Sequence, residues 1–295
     1  MSADPTVLFC VGATKAGTSW LFRFLQSHPQ CHVRSIKELH YFDALDLDER
    51  DWHRAYLQGQ RRQAAEQITD AKPARREKIA RELADHDDLI ALHRSEPEDI
   101  AGYLRYLKKG RTSERVVADV TPAYSLLSAE RLHKMASIAR HVRFIYIMRD
   151  PVARLWSHIR MNAARRAKFP GEVQGRANRI FWRYGRGKHP GIQARGEYRG
   201  ALERLTSALM PSQLLVLFYE ELFTQAAVNL ICDFLGIEYR QADMRVRVNT
   251  GPPATMNDKQ RQHARDWLAD QYDYVQATLD SVPDAWRANM AGAMS

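Results

Sequence analysis

Residues Thr6–Trp20 read TVLFCVGATKAGTSW, and the fold turns on how this stretch is parsed. Thr6 to Val11 is a short apolar run rich in strand-favouring residues, so it reads as a buried parallel strand that Gly12 ends. Gly12 and Gly17 then bracket Ala13, Thr14, Lys15 and Ala16, and Thr18 and Ser19 precede an amphipathic run from Trp20 to Gln26. Glycines reach backbone conformations that other residues resist, so successive N–H groups can converge on an oxyanion at the start of a helix. Lys15 adds a mobile full charge, and Thr18 and Ser19 add hydroxyl donors. The plain alternative is an ordinary glycine turn between a strand and a helix.

A nucleotide-triphosphate P-loop places its lysine directly after the second glycine. Here Thr18 holds that position and the lysine stands forward, at Lys15. The usual clamp on the β- and γ-phosphates is missing, which points away from ATP chemistry.

The chain of 295 residues, 45% of them hydrophobic, can bury a substantial core, and one domain over 1–295 is expected. No internal repeat, low-complexity tract or separate linker interrupts it. The N-terminal MSADPTVLFC has no basic region before a long apolar segment, and no run of about 18 apolar residues occurs that would suggest a membrane span. Cys10, Cys31 and Cys232 are odd in number and show no paired metal-ligand spacing, so a reducing cytoplasm is the expected location. From Arg149 to Gly200, thirteen Lys or Arg face only Asp150, Glu172 and Glu197, a local +10 within a chain of net charge +9. The basic field is therefore concentrated, as where an anionic cofactor or acceptor docks. Phe181, Trp182 and Tyr184 interleave with arginines in it and would also suit nucleic acid, but no recognised nucleic-acid motif accompanies them.

Along the chain, strand-like and helix-like patterns alternate. Thr18 to His28 reads as a helix stopped at Pro29, and Cys31 to Arg34 as a short strand that delivers Ser35–Asp43, SIKELHYFD, to the edge of the sheet. Glu38 and His40 lie two apart and would share a face of an extended segment, as candidates for proton transfer. Ala44 to about His93 is mixed in charge, with short helical patterns at Arg75–Ala84 and Asp87–His93, and reads as a helical insertion; Pro97 to Lys108 returns to an amphipathic helix. Arg115 to Val120 is a strand with Asp119 near its end, a place where a nucleotide hydrolase holds magnesium. His141 to Met148 is another strand, followed by Arg149, a capping Asp150 and a helix opened by Pro151. Lys168 to Arg195 reads as a Gly- and Arg-rich connection, Gly196–Leu209 as a helix, Gln213–Tyr219 as a strand, Gln225–Leu235 and Asn257–Leu279 as helices. The pattern implies an α/β fold, an open and mainly parallel sheet with helices on both faces.

Five stretches carry a family resemblance: GATKAGTSW at Gly12–Trp20, KELHYFD at Lys37–Asp43, TPAY at Thr121–Tyr124, RDPVARLWSH at Arg149–His158 and LVLFYEEL at Leu215–Leu222. Together they resemble the sulfotransferases that use 3′-phosphoadenosine 5′-phosphosulfate, closest in motifs to the heparan-sulfate type and related bacterial enzymes. The resemblance implies a P-loop-like sulfotransferase fold and transfer of a sulfuryl group to a hydroxyl or amine, leaving adenosine 3′,5′-bisphosphate and requiring no metal. It assigns the 5′-phosphosulfate to Lys15, Ala16, Gly17, Thr18 and Ser19, a nucleotide-lining role to Trp20, and the 3′-phosphate to Arg149 and Ser157. Glu38 would be the general base, Lys15 would assist the leaving group, and His40 and Asp43 would face the acceptor. Two family features are not matched. Val120 stands where heparan-type members carry a lysine, and only Arg245, Arg247 and Gly251 could stand for their basic cofactor loop. Saccharide, lipid headgroup, small metabolite and peptide acceptors are all compatible with the sequence. A P-loop kinase or hydrolase built on Gly12–Ser19 and Asp119 is the alternative, with a nucleic-acid-binding protein the weaker one.

Overall fold

The computed structural model describes residues 4–69, 71–95, 98–241 and 254–290. Five parallel strands form one sheet in the order β2-β3-β1-β4-β5. The central strand β1 (Thr6–Gly12) leads into helix α1 (Thr18–Ser27) and the short β2 (Cys31–His32). Four helices follow: α2 (Tyr41–Asp46), α3 (Arg50–Glu66), α4 (Pro73–Leu92) and α5 (Ile100–Lys108). After β3 (Val116–Val120) come a 3₁₀ turn at Pro122–Leu126, α6 (Ala129–Ala136) and β4 (Val142–Met148). Helices α7 (Pro151–Arg166), α8 (Val173–Tyr184), α9 (Pro190–Ala194) and α10 (Tyr198–Ala208) lead to β5 (Leu214–Phe218). The chain continues through α11 (Tyr219–Leu222), α12 (Gln225–Leu235), α13 (Asp258–Thr278) and α14 (Asp284–Met290).

Strand β1 pairs with β3 from Thr6↔Val116 to Cys10↔Val120 and with β4 from Val7↔Val142 onward. Val7 to Val11 are all fully buried, and since alternate residues point to opposite faces, both sides of the sheet are covered. The strand order reverses about β1: the chain first moves outward to β2 and β3, then crosses to β4 and β5. At such a switch the loops leaving neighbouring strands part and open a crevice at the C-terminal edge.

Helices α3 and α4 form an antiparallel hairpin. Arg75 bonds Gln67 at 2.8 Å near its tip, Arg61 pairs with Asp87 at 2.6 Å, and His93 stacks on His53 at its base. The two short patterns expected at 75–84 and 87–93 are one helix. Asp85 and His86 interrupt the apolar period at the joint but are buried and bonded: Asp85 accepts from Arg34 Nη2 at 2.6 Å and from the Ser35 amide at 2.6 Å. This clamp fixes the hairpin to the segment leaving β2.

The 168–195 connection contains two helices, α8 and α9. Val173, Ala177, Ile180, Phe181 and Tyr184 supply a buried stripe at helical spacing that the neighbouring arginines and glycines mask in the sequence. Phe181 and Tyr184 are buried in that stripe, so they are not a stacking surface for bases. Arg245, Arg247 and Gly251 lie outside the described residues.

Candidate active site

The loop after β1 is built on three residues with positive φ: Gly12 (153°), Lys15 (73°) and Gly17 (94°). At Gly17 space is also limiting, because an added Cβ would lie 2.7 Å from Leu222 Cδ2. Gly17 is the N-cap of α1 and gives it no side-chain cap, so the positive end of the helix dipole opens toward Thr18 and Ser19 at the cleft. That cleft has a volume of about 2420 Å³. Lys15, Gly17, Thr18, Ser19, Trp20, Glu38, His40, Asp43, Arg149 and Ser157 all line it. The Ala16 side chain is fully buried behind the loop. Trp20 shows the cleft only an edge, being 4% exposed and stacked on Phe24 at 5.8 Å.

Arg149 leaves the end of β4 beside this loop. Its Nη1 donates to the Lys15 carbonyl at 3.2 Å, and its guanidinium carbon lies 4.3 Å from the centre of the Tyr219 ring. Asp150 secures the turn: Oδ1 accepts from the Ala153 amide at 2.7 Å, and Oδ2 from the Tyr272 hydroxyl at 2.6 Å and Asn289 at 2.9 Å. The C-terminal helices α13 and α14 thus hold the base of Arg149 in place.

The sequence reading did not single out Arg160, Arg165, Lys188 and Arg195, which join Lys15 and Arg149 along this wall. Arg160 and Arg165 follow Ser157 on α7 at spacings that share its broad cleft face, a signal present in the sequence. Burial lowers the Lys15 pKa, and the charges of Arg149, Arg160 and Arg165 lower it further. Burial, followed by Arg154, Arg195 and Lys15, pushes His158 down to about 3. Among the described residues, Arg149 Nε, Arg160 Nε and His189 Nε2 are buried without a hydrogen-bond partner. Crowded cations and orphaned donors on one wall fit a ligand carrying more than one anionic group.

The opposite wall carries Glu38, His40 and Asp43. The segment is not extended: Glu38 (φ 65°) and His40 (φ 51°) are both left-handed. They nonetheless face one another, with Glu38 Oε2 3.7 Å from His40 Nε2, while His40 Nδ1 lies 2.6 Å from Asp43 Oδ2. The strained backbone is held from several sides. The Glu38 amide donates to the Val120 carbonyl at 3.2 Å, the Leu39 amide to Thr121 Oγ1 at 2.9 Å and the Tyr41 amide to the Tyr124 hydroxyl at 3.0 Å. His93 Nε2 lies 3.0 Å from the Leu39 carbonyl.

Burial opposes ionisation of both groups, but the pairing wins. Hydrogen bonding and charge from Asp43 and Glu38 raise His40 to about 9, and His40 with the ion-paired Lys37 brings Glu38 down to about 2. His53, stacked on His40 at 4.5 Å, is pushed down to about 4 by burial and by the His40 charge. His40, Asp43 and His53 also offer ligand atoms within 4.8 Å of one another, the closest pair of which is already hydrogen-bonded.

Asp119 has a different place from that of a metal ligand at the cleft. It is 1% exposed, and its carboxylate accepts from the hydroxyls of Thr121 (2.6 Å), Tyr103 (2.7 Å) and Tyr124 (2.9 Å). Thr121 and Tyr124 are the residues that hold Leu39 and Tyr41, so Asp119 braces the Glu38–His40 segment from below. Val120 is 1% exposed and packs in the core, whereas Lys37 lines the cleft.

Sheet order and cleft together define an α/β protein that presents a cationic loop and a carboxylate–imidazole group across one crevice at the C-terminal edge of the strands. Residues 5–241 match the model of the sulfotransferase family, and the chain belongs to that family. Among solved structures, a sulfotransferase from Alicyclobacillus acidocaldarius aligns with a TM-score of 0.62 at 19% identity, covering 97% of this chain and 99% of that one. The sulfotransferase domain from the curacin biosynthetic pathway aligns with a TM-score of 0.51 at 18% identity, covering 98% and 97%. At these identities the likeness concerns the fold. No curated protein sequence matches the chain.

Proposed function

We propose that this protein transfers a sulfuryl group from 3′-phosphoadenosine 5′-phosphosulfate to a hydroxyl or amine, with Glu38 as the general base. The observation that carries the reading is the pairing, in one cleft, of a cationic wall with unpartnered buried donors and the ionised Glu38–His40 group facing it. Bound 3′-phosphoadenosine 5′-phosphosulfate supplies the sulfuryl group and leaves as adenosine 3′,5′-bisphosphate.

Lys15 and the start of α1 neutralise the charge that grows on the departing phosphate oxygen. Arg149 and Ser157 hold the 3′-phosphate, and Lys37 takes the place of the cation missing at Val120. Glu38 is a weak base at rest, which suits a late proton transfer: the acceptor proton becomes strongly acidic as the new O–S or N–S bond forms. Protonated His40, steadied by Asp43, keeps Glu38 ionised and donates toward the acceptor. Positioning and electrostatics supply most of the rate.

Calorimetry with adenosine 3′,5′-bisphosphate, ATP and ADP, in EDTA and then in magnesium, tests the reading. Metal-independent preference for the bisphosphate is the expected result, and magnesium-dependent preference for ATP would support a kinase or hydrolase instead. Glu38→Gln should keep bisphosphate affinity and lose transfer; near-normal turnover would remove Glu38 as base.

A further inference from the structure

The half of the cleft beyond His40 differs in character from the phosphate wall. Helix α3 presents Trp52 and Tyr56 there, 62% and 53% exposed, with rings stacked at 5.6 Å and an interplanar angle of 4°. Stacking preorganises the pair and leaves the outer face of a ring open as a flat apolar surface. The pair is joined to the reactive group through rings: Trp52 meets His53 edge-on at 4.8 Å, and His53 stacks on His40. His40 is thus two ring contacts from Trp52, and both line the same cleft.

The cleft-lining residues of 46–60, the stretch that carries this platform, include Asp46, Asp48 and Glu49 and no Lys or Arg. Two other cleft-lining cations are already neutralised: Arg131 by Asp46 and Glu98, and Lys134 by Glu130. Asp48 and Glu82 also line the cleft and have no ion pair among the described residues. Independently, Asp43 lines the cleft at 6% exposure, and its Oδ1 is buried without a hydrogen-bond partner among the described residues. A buried, unpartnered carboxylate oxygen calls for a donor from the ligand, and a further anion placed there would be repelled.

Building on the sulfuryl-transfer reading, we infer that the acceptor is an uncharged or amine-bearing molecule that lays a flat ring on Trp52 and Tyr56 and gives a hydrogen bond to Asp43. Acidic acceptors are disfavoured, in contrast to what the net positive charge of the chain suggests. The field that the sequence advertises belongs to the cofactor wall, not to the acceptor half.

The test uses the full chain saturated with adenosine 3′,5′-bisphosphate and three matched probes: the 4-nitrophenyl β-D-glucoside, the corresponding glucosaminide and the glucuronide. Calorimetry should show the first two binding at least about tenfold more tightly than the glucuronide, the scale of one excluded charge or one good stacking contact. Trp52→Ala, at an exposed position, should weaken the glucoside about tenfold and leave the bisphosphate affinity unchanged. The double substitution Asp48→Lys with Glu82→Lys should narrow the gap to the glucuronide. Equal or tighter glucuronide binding, a glucoside affinity indifferent to Trp52→Ala, or no binding of any probe overturns the inference. Failure of the bisphosphate to bind would instead count against the sulfotransferase reading, and the same probe series without nucleotide would still decide the acceptor class.

Discussion

Replacing His40 with glutamine separates the charge of this side chain from its shape, and pH reports the difference. In the folded protein the His40 pKa stands at about 9 against 6.5 for the unperturbed ring. A raised folded pKa means that the stabilisation is fully present below the unfolded value and is lost as pH climbs through the folded one, here between about 6.5 and 9. At 1.36 kcal/mol per unit the shift corresponds to at most about 3–4 kcal/mol, with the His40 side chain only 23% exposed. Glu38 acts with the opposite sign: its depressed pKa matters as pH falls through about 2, well outside this window. Urea unfolding of wild type and His40→Gln at pH 6 and pH 9.5 should therefore show the gap between them shrinking by about 2–3 kcal/mol at the higher pH. Parallel losses in the two proteins would refute the argument, as would a His40 pKa at or below about 7 by NMR titration.

Arg149→Ala should weaken adenosine 3′,5′-bisphosphate about 100-fold, two charge-assisted hydrogen bonds' worth, and adenosine 5′-phosphate less than about threefold. Equal losses in calorimetry would detach Arg149 from the 3′-phosphate. Asp119→Asn should lower the transfer rate about tenfold at unchanged bisphosphate affinity, because it disturbs the hydroxyls that hold Leu39 and Tyr41. A lower melting temperature with an intact rate would make Asp119 a stability residue alone. Gly17→Ala combines a left-handed φ of 94° with a Cβ 2.7 Å from Leu222, and should cost about 1–3 kcal/mol of stability. Leu222→Ala costs core packing of its own, so the comparison is made within that background: adding Gly17→Ala there should still lower the melting temperature through the φ strain, and no further loss would show that the strain is absent.

The parts of the fold that were legible in the sequence are those with local signals. The apolar run of β1, the glycines after it and the Asp150–Pro151 start of α7 announce themselves within a few residues. Helix α8 was hidden because its apolar stripe is threaded through arginines, and α14 because its deeply buried Trp286 finds its partner Glu220 far away in the chain. The grouping of Glu38 with His40 was readable from spacing, but the left-handed backbone that produces it was not, since it depends on anchors at Val120, Thr121, Tyr124 and His93. Asp119 illustrates the same limit: a carboxylate at a strand end looks alike whether it faces a cleft or three buried hydroxyls. Trp52 and Tyr56 carried no legible signal, because their stacking and their place at the cleft follow from the hairpin that carries them.

Leu39 receives one anchor from the sheet, through Thr121, and one from the base of the α3–α4 hairpin, through His93. The hairpin is consequently not an interchangeable module. A chimera that imports another hairpin and omits the histidine at position 93 would strand the Leu39 carbonyl and let Glu38 and His40 drift. Recombination aimed at new acceptors should carry His53 and His93 across intact and diversify the exposed ring positions between them.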